Sequence, residues 1–235
     1  MFNFYRTSLV TGISGIDFER REKAKVLFNQ AYDYFEQKNY EKAIEDYTAA
    51  FETDPAYTRA LIDCSDAYFL TVDFQKAKEC LLRAIKTADN DPKAHNNLGN
   101  IYIMEGDKEN AKREYKKALK INLFYEQARY NLKHLNTLAG DLYDNLGIEL
   151  QKRGKHSEAI PLHQKAIEFN TTFPAKSHNN LGFAYYSLND FDNAILCYDK
   201  ALQIDPSMTN SINFRKKAYD KKQERELKDK QGANK

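Results

Sequence analysis

Residues 92–125 read PKAHNNLGNIYIMEGDKENAKREYKKALKINLFY. Apolar residues recur in this stretch at three- and four-residue steps on either side of Gly106-Asp107. That spacing builds one buried face on each of two helices, so the stretch predicts a helix–turn–helix hairpin. A step of 34 residues toward the N-terminus from Tyr102, Ala111, Tyr115 and Ala118 lands on Tyr68, Ala77, Leu81 and Ala84. A second step lands on Tyr34, Ala43, Tyr47 and Ala50. A fixed period of this length, with small residues at fixed phases, signals an array of helical hairpins. Its first three repeats are 24–57, 58–91 and 92–125, and Pro55 and Pro92 fall at their junctions, where a missing N–H does little harm.

Leu98-Gly99, Tyr102, Gly106, Ala111, Tyr115 and Ala118 resemble the signature of the tetratricopeptide repeat (TPR) family. The pattern returns as Leu146-Gly147, Gly154, Ala159 and Ala166, and as Leu181-Gly182, Tyr185, Phe191, Ala194, Tyr198, Ala201 and Pro206. These define repeats 140–173 and 175–208, with Pro174 between them. The resemblance implies an all-α, right-handed superhelical solenoid of helix–turn–helix repeats. The physics agrees with it. Alanine at the twentieth and twenty-seventh places lets two helices approach closely. Glycine at the eighth place does the same for the first helix, at about 1 kcal/mol of helix propensity. A single hairpin buries too little apolar surface to be stable, and a stack buries enough.

The period slips once, by 14 residues, at 126–139. Either 126–139 is a short linking or closing helix that stops at Ala139-Gly140-Asp141, or 126–152 is one long helix. Glycine and then aspartate make a stop-and-cap signal, and a lone glycine is also tolerated inside a helix. Residues 209–226 predict a capping helix with Ile212, Phe214, Arg215, Ala218 and Tyr219 on its inner stripe, and 227–235 a disordered tail. Residues 1–23 hold an apolar arm, with Phe2, Phe4, Tyr5, Leu9, Val10 and Ile13, and a helix start at Ser14 to Asp17. The arm suggests packing on the first repeat or in the groove as a self-ligand.

A net charge of +2 gives no field that favours nucleic acid or a membrane surface. No apolar run reaches the ~18 residues of a spanning helix, and the first residues make a poor secretory signal. Cys64, Cys80 and Cys197 lie inside predicted helices without metal-ligand spacing, which reads as packed thiols in a reducing, cytoplasmic setting. Of the five histidines (His95, His134, His156, His163 and His178), four occupy framework places, and none has a ligand partner at metal spacing. No nucleophile motif appears, and Gly12-Ile13-Ser14-Gly15 matches no phosphate-binding loop. The expectation is therefore a non-enzyme without metal or cofactor.

The resemblance implies that the first helix of each repeat lines a concave groove. The sixth place on that helix holds Asn29, Asp63, Asn97, Asn131, Asn145 and Asn180. An asparagine amide both donates and accepts, so such a row can hold a peptide backbone of any sequence. The row is similar to the asparagine ladder of O-GlcNAc transferase TPR domains. Six bonds at roughly 0.5–1.5 kcal/mol each support only weak binding after ordering costs. Flanking side chains must then give specificity. Phe28, Tyr32, Phe35, Ile62, Phe69, Ile103 and Met104, with Asn100 beside them, predict an apolar-anchored partner segment on the first three repeats. Asp144, Ile148, Gln151, Asn179, Phe183 and Tyr186 make a more mixed set further on. The places that clamp a chaperone's C-terminal carboxylate in other TPR domains hold Phe28, Tyr32, Asp63, Lys93 and Asn97 here, and only Lys93 fits.

The reading is an adaptor that binds an extended or helical segment of another protein. A self-assembling, homo-oligomeric framework is the alternative. Neither nucleic acid nor membrane insertion is expected.

Overall fold

In the computed structural model, residues 15–232 are described. The apolar arm, Met1 to Ile13, lies outside them, as do residues 233–235. The described residues form twelve helices and no strand. The chain divides into two compact units, Met1–Lys133 and His134–Lys235. The first holds α1 (Gly15–Glu36), α2 (Tyr40–Thr53), α3 (Arg59–Leu70), α4 (Phe74–Thr87), α5 (Pro92–Met104), α6 (Lys108–Ile121) and α7 (Glu126–Lys133). The second holds α8 (Leu138–Lys152), α9 (His156–Glu168), α10 (Pro174–Ser187), α11 (Phe191–Ile204) and α12 (Thr209–Gly232). Within each unit every helix packs on the next in the chain, and the first helices of successive hairpins also touch, α3 with α5 and α8 with α10.

The turn inside each hairpin has one construction. Its fifteenth-place residue takes a left-handed φ: Lys38, Val72, Gly106, Gly154 and Asn189. The next N–H then reaches back to the carbonyl of the eleventh-place residue, as in Asp107 to Tyr102 at 2.8 Å, which satisfies an open end of the first helix. At four of the five turns the same sixteenth-place residue caps the second helix. The side chains of Asn39, Asp73, Asp107 and Asp190 accept from backbone N–H groups of α2, α4, α6 and α11. Lys155, ahead of α9, has no such bond.

Small residues then set the helix spacing. Ala43, Ala77, Ala111, Ala159 and Ala194 are fully buried, and so are Ala50, Ala84, Ala118, Ala166 and Ala201. Three eighth-place glycines lie under the twenty-fourth-place rings. A methyl group on Gly99, Gly147 or Gly182 would collide with Tyr115, His163 or Tyr198 respectively.

The slip resolves as two helices, but their boundary is not at Gly140-Asp141. Helix α7 ends at Lys133 and α8 begins at Leu138, with a turn over 134–137 between them. Gly140 lies inside α8 and is a contact point. A Cβ there would meet the Ala166 carbonyl oxygen at 2.8 Å and the Thr171 nitrogen at 2.9 Å. Asp141 does not cap a helix. Its carboxylate accepts from the Thr172 N–H at 2.7 Å and the Thr172 hydroxyl at 2.6 Å, fixing the loop between α9 and α10. The last helix continues to Gly232, so 227–232 are helical and not a disordered tail. Phe214 and Ala218 pack on the Phe191–Tyr198 core, whereas Ile212 and Tyr219, expected on the same stripe, are exposed.

Candidate functional site

The first helices of the first unit carry a connected set of polar side chains. Lys93, in the first turn of α5, reaches back to α3 and pairs with Asp63 at 2.5 Å and Asp66 at 2.7 Å. Burial alone would lower the lysine pKa; the Asp66 and Asp63 carboxylates outweigh it and hold the ammonium well above its ordinary value. Burial raises the Asp66 pKa against the pull of Lys93. The Asn97 amide donates to Asp66 at 2.6 Å. One repeat on, the Asn131 amide donates to Asn96 at 2.9 Å and to Asn100 at 3.0 Å. Asn100 also accepts from the Tyr115 hydroxyl at 2.9 Å. Each bond crosses between neighbouring helices, so the polar row ties the repeats together.

The sixth-place residues therefore fall into two groups. Asp63, Asn97, Asn131 and Asn180 bond to neighbouring helices, Asn180 by donating to Asp144 at 3.1 Å. Asn29 and Asn145 are exposed. The apolar anchors need correction. Phe28 is buried against Tyr47 and Tyr57, at centroid distances of 5.3 and 5.2 Å. Ile62 and Ile103 are buried in the same way. Phe35 and Phe69 are half-buried against the core and lie beside Tyr40 and Phe74. Of the aromatic set only Tyr32 is open, at 48% exposure. A 3.6-residue period places positions five and twelve on the border between the core stripe and the open face, and packing assigned them to the core. The open face at α5 and α7 is polar instead. Its cleft of about 340 Å³ is lined by Asn96, Asn100, Glu126, Gln127, Tyr130 and Asn131, and Tyr130 and Gln127 are exposed.

Two buried histidine pairs escaped the sequence reading. His95 bonds through Nδ1 to Glu114 at 2.8 Å and through Nε2 to Asp89 at 2.7 Å. The Glu114 bond first, and then Asp89, raise the His95 pKa against its burial. Burial would raise the Glu114 pKa, but bonds from His95 and Lys117 hold it below the ordinary value. In the second unit His163 bonds to Asp144 at 2.6 Å. The signal was present: His95 and His163 each share a repeat with an acid 19 residues away, Glu114 and Asp144. Asp144, expected from its place to line the groove, is buried. In the same unit a cleft of about 540 Å³ opens beside Phe173, Lys176, Asn179, Asn180 and Met208. Neither site joins a nucleophile to a base, and among the described residues no group of three or more His, Cys, Asp or Glu side chains is set to hold a metal ion. What both faces offer is hydrogen-bonding amides, carboxylates and exposed rings.

Stacked helical hairpins with alanine and glycine at the helix contacts define a hairpin-repeat protein. Tetratricopeptide repeat models match residues 34–101, 92–123, 140–171 and 175–208, and the chain belongs to the tetratricopeptide repeat family. Comparison with curated proteins gives no match. Among solved structures, the chain is similar to the first TPR of Spaghetti (RPAP3) bound to the HSP90 peptide SRMEEVD. That match has 27% identity and a TM-score of 0.46, and covers 48% of this chain and 89% of the other. The MamA protein matches at 21% identity and a TM-score of 0.41, over 77% of this chain and 91% of its own. The Sgt2 TPR domain from Aspergillus fumigatus matches at 25% identity and a TM-score of 0.45, over 47% and 74%. Among the described residues no helix is long and apolar enough to cross a membrane.

Proposed function

We propose that this chain is a protein-interaction adaptor that receives a segment of a partner on the first-helix face of its first unit, centred on α5 and α7. The open cleft beside Asn96, Asn100, Gln127, Tyr130 and Asn131 carries this reading. Its amides offer donors and acceptors to a peptide backbone, and Tyr130 offers a rigid ring with a polar tip. The partner segment is polar or mixed and not strongly apolar, because Phe28, Ile62 and Ile103 are withdrawn into the core. A free C-terminal carboxylate is a poor ligand. Lys93, the single clamp residue present, is already held by Asp63 and Asp66. Buried Cys64, Cys80 and Cys197 support a reducing, cytoplasmic setting.

The test is affinity capture from native extract with the wild type and a Gln127→Ala/Tyr130→Ala variant. Both side chains are exposed, and circular dichroism checks that the variant keeps its fold; changes at Asn97 or Asn131 would instead break helix-to-helix bonds. Loss of the captured protein from the variant supports the site, and equal capture removes it. A second reading, self-assembly through repeat ends, has one observation in its favour. Val26 is 62% exposed at the third place, where Ala60, Ala94 and Ser177 are buried under the preceding hairpin. Light scattering over a concentration series decides it: a constant monomer mass excludes assembly.

A further inference from the structure

The outer surface of α6 holds a feature that the hairpin fold does not require. Lys108, Lys112, Lys116 and Lys120 follow one another at four-residue steps, and all are exposed. At ~1.5 Å per residue the row runs about 18 Å along the helix. Among the described residues none of the four has an ion-pair partner. The neighbouring Lys117 and Arg113 share Glu114, which is buried and also holds His95. Packing does not ask for lysine here. The places of Lys112, Lys116 and Lys120 hold Ile44, Thr48 and Glu52 in α2, Lys78, Leu82 and Lys86 in α4, and Ile195, Asp199 and Gln203 in α11, so none of these helices repeats the full row.

The row ends at a second anomaly. Leu123 and Phe124, in the turn after α6, are 68% and 77% exposed. The equivalent turn residues are Pro55-Ala56 and Asp89-Asn90 in the first two repeats. The backbone of this turn is that of an ordinary repeat junction, with Tyr125 N–H on Asn122 O at 3.1 Å. A leucine and a phenylalanine open to water beside a row of unpaired cations mark an interaction surface.

We propose that α6 and the Leu123–Phe124 turn dock an acidic protein segment, with carboxylates along the lysine row and an apolar residue against the turn. Charge complementarity identifies the occupant. The row is one side chain wide, and at ~3.3 Å per extended residue it matches five or six residues of chain. Exposed Glu109 and Glu126 flank the row and the turn. A flat anionic bilayer would be pressed against both of them, whereas a segment passes between. This surface is built on a second helix and the turn after it; Glu126 also borders the first-helix cleft, so the two readings are tested by separate variants.

The probe is a fluorescein-labelled peptide of six glutamates with a leucine–phenylalanine pair at one end, prepared in both orders, with a six-glutamine counterpart. Binding to the full chain is read by anisotropy. Saturable binding of a glutamate peptide is expected, weakening as salt rises. Lys112→Glu/Lys116→Glu should weaken it at least tenfold, and Leu123→Ser/Phe124→Ser at least threefold, with unchanged circular dichroism. Gln127→Ala/Tyr130→Ala should leave it unchanged. Absence of saturable binding, equal binding of the glutamine peptide, or insensitivity to the lysine reversal would each overturn the proposal. So would loss of binding in the cleft variant. Recruitment to phosphatidylserine vesicles without peptide binding would assign the surface to lipid and overturn it as well.

Discussion

Lys155 sits where four other repeats place a capping side chain. Its backbone, at φ −85° and ψ 57°, already has nearly the shape found at Asp190, φ −87° and ψ 76°. Lys155→Asp should therefore cap α9 and raise stability by about 1 kcal/mol, with a higher Tm in thermal unfolding. The exposed Lys155–Glu158 pair lost in the exchange contributes little. Val72 is a second local misfit. It holds φ 66° at the place where Gly106 and Gly154 stand, and a branched side chain is disfavoured there by about 1–2 kcal/mol. Val72→Gly should stabilise the first unit by ~1 kcal/mol in urea unfolding. Both misfits were readable in the sequence once the repeats were aligned, because turn chemistry is local and recurs every 34 residues.

At the scale of helices, contact depends on paired choices in two elements. Gly182 in α10 lies under Tyr198 in α11, and a Cβ would meet the ring at 2.8 Å. Gly182→Ala should cost about 1–3 kcal/mol despite the better helix propensity of alanine, seen as a lower Tm. The His95–Glu114 pair links α5 to α6 and gives the first unit a pH dependence. His95 has a pKa raised above 6.5 in the fold, so its stabilisation is complete below 6.5 and is lost as pH rises through the folded value. Glu114 is lowered from 4.5, so its stabilisation is present above 4.5 and is lost as pH falls through its folded value. The pair is strongest between these limits. Wild-type Tm should fall between pH 6 and pH 9, and His95→Gln should flatten that change; an unchanged slope would assign it to other groups. These pairs were harder to read. A histidine at a framework place looks like packing until the acid that faces it is located, and only the helix contact supplies that partner.

On the scale of the whole chain, each unit has its own apolar core, one running from Phe28 to Ile101 and the other including Phe191, Tyr198 and Ala218. Repeat stability is carried by nearest-neighbour contacts. Residues 1–133 should accordingly fold alone, with cooperative thermal unfolding followed by circular dichroism. A fragment lacking a cooperative transition would show that the first unit depends on the second.

The sequence by itself determined the hairpins, their phase and the place of the slip, because helix period, turn residues and small-residue contacts are short-range and repeat. It also set out the amide row. Tertiary structure decided what those residues do. Phe28 and Ile103 went to the core and Tyr130 to the open face, although all three share the amphipathic border of a first helix. Gly140, which resembles a helix stop, is a close contact inside α8. Asn97 and Asn131, which read as peptide ligands, hold neighbouring helices together. A hydrogen-bonding group takes whichever partner the packing brings within about 3 Å, and that choice is made between helices 30 or more residues apart in the chain.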